Sequence, residues 1–152
     1  MGPAISKVAP ELEVRRTYPA KKEAVYRAWT EKAALAKWFA PSDEYTTIVH
    51  SLDVRVGGSY RLEMKHTSGK SHILTGTYRE LVPYDKVSFT WRWDDKEMED
   101  TLVIVDIREM GELTEVVLTH RLFENEATRD DHNKGWTGCL ERLAAKMDQI
   151  EF

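Results

Sequence analysis

Between Tyr45 and Leu122 apolar residues recur at every second position, whereas the stretches on either side step by three and four. Alternation places successive side chains on opposite faces of a pleated strand, and the longer steps draw a stripe along a helix. The change of period therefore divides the chain into a long β region flanked by helical segments. Within the β region, TTIVHSLDV (46–54) reads as a strand, Gly57-Gly58 as a turn or bulge, and SYRLEMKH (59–66) as a strand with Tyr60, Leu62 and Met64 on one face. Strands follow at 72–82 and 86–93, the second with Val87, Phe89, Trp91 and Trp93 on one side. The acidic run DDKEMED (94–100) connects to strands at 101–107 and 114–122, where Val116, Leu118 and His120 share a face.

Ahead of this region, ELEVRRTY (11–18) predicts a first strand ended by Pro19. Residues 21–39 predict two short helices joined near Thr30 and stopped by Pro41. Behind it, the polar segment FENEATRDDHNKG leads into a helix whose stripe is Trp136, Leu140, Leu143 and Met147. Strands joined by short turns cannot form a parallel doubly wound sheet, so the class is α+β. The economical arrangement wraps a curved antiparallel sheet of six to seven strands around the last helix. That helix is too narrow to cover the whole inner face, which leaves room for a cavity. A chain of 152 residues fits one domain, 1–152, with an ordered core of about 10–150.

A net charge of −4 supplies no basic field for phosphate backbones, which argues against nucleic acid as a partner. No apolar run is long enough for a membrane helix, no secretory start is evident, and Cys139 has no second cysteine to pair with, so a cytoplasmic location is expected. Met1–Ser6 matches the loose myristoylation pattern, but Pro3 directly after Gly2 makes it an odd substrate. His50, His66, His72, His120 and His132 are scattered, with no HExxH, CxxC, P-loop or GxSxG, so neither a metal nor another cofactor is expected.

Several short pieces, taken in order, carry a family resemblance. They are VYRAWT (25–30) with Leu35 and Trp38, GGSYR (57–61), GTYREL (76–81), FTW (89–91), LTH (118–120), and His132 with Gly135-Trp136 and Leu140. Together they resemble the activator of heat-shock-protein-90 ATPase homologue family of the START-like, SRPBCC superfamily. The resemblance implies a helix-grip fold in which the last helix lies across the mouth of the sheet. It leaves function open, because that scaffold hosts ligand carriers, cyclases, hydrolases and co-chaperone domains.

The leading expectation is a cavity for a small apolar or aromatic molecule, lined by Trp38, Tyr60, Met64, Tyr78, Phe89, Trp91, His120 and Trp136. Trp38 would be a gate if exposed and a staple if buried. His120, facing inward by alternation, would either contact a ligand or be bonded within the core. Cys139 reads as a small buried hydrophobe rather than a nucleophile, and no catalytic residue is assigned. Gly135 and Gly138 each cost a helix about 1 kcal/mol. They either allow close approach of a neighbouring element or leave room beside Trp136, unless Gly135 is only a cap. Two rivals remain: a co-chaperone-like domain that docks through the acidic run, and a cyclase, dehydratase or hydrolase using His120 and a tyrosine. A homodimer formed at an exposed edge or apolar patch is also open.

Overall fold

The computed structural model describes residues 9–94 and 96–150; Met1–Ser6 and Asp95 of the acidic run lie outside the described residues. The chain forms β1 (Leu12–Tyr18), α1 (Lys22–Thr30), α2 (Lys32–Trp38), β2 (Tyr45–Leu52), β3 (Ser59–His66), β4 (Ser71–Val82), β5 (Lys86–Trp93), β6 (Thr101–Met110), β7 (Leu113–Arg121) and α3 (Glu126–Lys146). The strands make one sheet in the order β1-β7-β6-β5-β4-β3-β2, antiparallel throughout. It curls into a half-barrel that grips α3, as the alternation and the lone terminal stripe predict. No helix among the described residues is long and apolar enough to cross a membrane.

Two features position α3. The Tyr18 hydroxyl on β1 donates to the Leu140 carbonyl at 2.8 Å; of the predicted stripe, Trp136, Leu140 and Leu143 are buried, while Met147 lies just past α3 and is half-buried. On the opposite flank, Arg142 reaches α2. Its Nε donates to the Trp38 carbonyl and a terminal nitrogen to the Lys37 carbonyl, both at 3.3 Å, while the other terminal nitrogen pairs with Asp43. These carbonyls end α2 and lack helical partners, so a guanidinium there satisfies acceptors and complements the helix dipole. Arg142→Met should keep the packing of the aliphatic stem and lose about 1–2 kcal/mol. A lower urea midpoint with an unchanged m-value would show it; an unchanged midpoint would remove the cap from the account.

One boundary differs from expectation. The sequence predicts that the last helix begins near Trp136, but α3 starts at Glu126, where the Asn125 side chain accepts the Thr128 N–H at 2.8 Å. The first turns of α3 are mostly exposed, with only Thr128, Arg129 and His132 half-buried, so no apolar stripe marks them. An N-cap starts this helix, and tertiary packing of its second half sustains it.

Candidate functional site

A pocket of about 220 Å³ opens between α3 and the ends of β3, β4 and β5. Alternation delivers Met64 from β3, His72 from β4, and Trp91 and Trp93 from β5. Steps of three and four along α3 deliver His132, Gly135, Trp136 and Cys139. Pro41 and Tyr45 close one side, and Lys96 and Asp131 stand at the pocket as its charged groups. The rings of Trp91 and Trp93 meet nearly perpendicularly, at 89° with centroids 5.4 Å apart. Trp136 lies 4.9 Å from Trp91. The wall is thus mostly aromatic, and its shape is held by T-shaped and tilted ring contacts.

One histidine in this wall, His132, and one behind it, His120, are fixed by complementary partners. Trp136 Nε1 donates to His120 Nδ1 at 3.0 Å, which leaves His120 Nε2 as the donor to the Thr101 hydroxyl at 2.7 Å. That hydroxyl in turn donates to the Trp91 carbonyl at 2.9 Å. In the second pair Trp93 Nε1 donates to His132 Nε2 at 3.0 Å, and His132 Nδ1 donates to the Thr128 carbonyl at 2.8 Å. Each imidazole therefore needs one lone pair for an indole N–H, so each is the neutral ring in a single tautomer. Burial pushes the pKa of both below the ordinary histidine value, well below for His120. The Cys139 thiol, also buried, is pushed up to about 12, so it stays protonated.

The eight residues expected at the site fall into three groups. Met64, Trp91 and Trp136 come together on the 220 Å³ pocket. Tyr60, Tyr78 and Phe89 lie at the other end of the sheet, where α1 and α2 supply Trp29, Leu35 and Phe39. Only about 20 Å³ is left between them. Trp38 and His120 reach neither space. Trp38 is fully buried with its Nε1 donating to the Ala28 carbonyl at 2.9 Å, so it is a staple. His120 is equally buried, its partners being a threonine and a tryptophan.

Sequence reasoning did not place His72, Trp93 or His132 at the site. The signal was present for all three: His72 alternates with buried Leu74, Trp93 follows Trp91 on the same face, and His132 precedes Trp136 by one helical turn. His132 was lost because the helix was started too late. Among the described residues no group of three or more His, Cys, Asp or Glu side chains could hold a metal ion.

The family described as Activator of Hsp90 ATPase homolog 1-like protein matches residues 19–148. No curated protein matches the chain. Among solved structures, protein CV1439 from Chromobacterium violaceum is 29% identical, with a TM-score of 0.83 over 90% of this chain and 96% of that one. The AHSA1 protein SPO3351 from Silicibacter pomeroyi is 22% identical, with a TM-score of 0.81 over 92% and 99%. A solution structure from Arthrobacter aurescens reaches 0.82 at 15% identity, over 97% and 94%. These neighbours have the same curled sheet and terminal helix.

Proposed function

This chain belongs to the Activator of Hsp90 ATPase homolog 1-like family, and from that premise we propose that it binds a small, largely apolar ring compound between α3 and strands β3 to β5. One observation carries the reading: an aromatic-walled space of about 220 Å³ sits at one end of a sheet whose other end is packed down to about 20 Å³. A cavity of about 150 Å³ suffices for benzene. The pocket therefore suits a single ring with a short substituent, or two fused rings. Burying about 200 Å² of ligand surface at about 25 cal/mol per Å² gives roughly 5 kcal/mol before association costs, which sets an affinity no tighter than about 0.2 mM.

The two histidines and the thiol in and behind the wall are suited to binding rather than turnover. Both ring nitrogens of His120 and of His132 are already engaged, and Cys139 remains a thiol. Neither imidazole has a lone pair to spare for a substrate proton. Packing against Trp91, Trp93 and Trp136 is what the wall offers.

Native mass spectrometry of freshly purified protein, followed by organic extraction, would identify a retained ligand. Titration with indole or naphthol, followed through the indole N–H signals, tests the site directly. The signals of Trp93 and Trp136 are expected to shift in the wild type. Gly135→Leu, which projects a side chain from a position with nothing within 4 Å of an added Cβ, should abolish the shifts while the fold persists. No binding at millimolar ligand, or binding indifferent to Gly135→Leu, would overturn the proposal.

A further inference from the structure

A second space, of about 570 Å³, lies between residues 96–99 and the start of α3. It shares only Trp93, Lys96 and His132 with the 220 Å³ pocket. Lys96 is exposed, so the two half-buried rings are the sheltered part of the boundary. They are joined edge to edge by the 3.0 Å bond from Trp93 Nε1 to His132 Nε2. His132 is itself anchored one turn back along α3 by its 2.8 Å bond to the Thr128 carbonyl. Trp93 is braced from the other side by Trp91 at 89° and by His72, whose ring centroid is 6.0 Å away.

We propose that the Trp93–His132 pair is a partition that sets ligand length: with it in place the site accepts a ring and a short substituent, and without it a chain can continue into the space beside residues 96–99. This inference rests on the ligand-binding reading above and adds its length limit. Two rings joined by one hydrogen bond make a wall that is closed by geometry rather than by bulk alone. The larger space is bordered by Met98, Leu122 and Phe123 among polar groups, so it could receive an alkyl chain once reached.

The test uses para-alkylphenols from methyl to octyl, titrated by calorimetry into the full chain. Each methylene buried should raise affinity about fourfold, from about 0.8 kcal/mol per group. In the wild type the rise should stop after two or three carbons, because the pocket exceeds a benzene-sized cavity by only about half. In His132→Ala it should continue to at least hexyl, about sixtyfold or more above the wild-type plateau. His132→Gln, which can still accept from Trp93 Nε1, should restore the short plateau; this separates a wall from a general loosening of α3. If the plateau stays at the same length in His132→Ala, the partition is refuted while the binding site stands. If neither protein binds any member of the series, the ligand-site reading and this inference fall together.

Discussion

Gly138→Ala is expected to destabilise the protein by about 3 kcal/mol or more, whereas Gly135→Ala, three residues earlier on the same helix, should stabilise it. An ideal Cβ at Gly138 would lie 2.1 Å from the Pro41 carbonyl oxygen and 3.1 Å from the carbonyl carbon, both backbone atoms that cannot swing aside. Either α3 or the α2–β2 connection must move, and that connection also carries Asp43, the partner of Arg142, and leads into the pocket wall at Tyr45. Overpacking of this kind costs about 1–3 kcal/mol where side chains can yield, and more where backbone must. At Gly135 an added Cβ meets nothing within 4 Å, so alanine should recover the helix-propensity cost of about 0.5–1 kcal/mol. For a domain of this size the expected shifts are a fall in Tm of about 6–12 °C and a rise of about 1–4 °C. Equal shifts in the two variants would mean that the close approach at Pro41 does not constrain α3. The two glycines thus serve different ends. Gly138 lets a connection cross the helix, and Gly135, on the pocket wall, keeps space open at some expense in stability.

The strands were legible because one face of each is apolar: Tyr60, Leu62 and Met64, or Val87, Phe89 and Trp91, alternate with polar residues, and a slip of one residue would turn all of them away from the inner face. The first turns of α3 were not legible, since their signal is an Asn125 cap rather than an apolar stripe. Within the candidate site, alternation correctly turned Tyr60, Phe89, Met64 and Trp91 inward. It carries no information on which end of the sheet is filled. That depends on α1 and α2, whose Trp29, Leu35 and Phe39 occupy the end beside Tyr60 and Phe89 and leave the end beside Trp91 open. His120 faces inward as alternation requires, yet its partners come from β6 and α3, so its commitment to the core could not be read from its own strand.

Those partners make the fold sensitive to acid. His120 and His132 are held neutral, His120 by burial and the nearby His132, and His132 by burial above all, partly offset by its bond to the Thr128 carbonyl. An unfolded chain takes up protons at both rings near the ordinary histidine value of 6.5, while the folded chain resists until a lower pH. Unfolded molecules then bind more protons, so stability is full above the ordinary value and falls as pH drops below it, until the folded-state values are reached. Each ring contributes a slope of at most about 1.4 kcal/mol per pH unit, so the two together should remove up to about 3 kcal/mol between about pH 7.5 and about pH 5.5. Protonation also has a local cost, since a charged imidazole has no lone pair to accept the N–H of Trp93 or Trp136. Urea unfolding at the two pH values should show the loss in the wild type. In the His120→Gln, His132→Gln double variant, whose side chains can donate and accept without titrating, the pH dependence should largely vanish even though the protein is less stable at neutral pH. A wild-type slope no steeper than that of the double variant would mean that the two rings do not favour the neutral form in the fold. The bonds assigned to Trp93 and Trp136 would then need to be drawn differently.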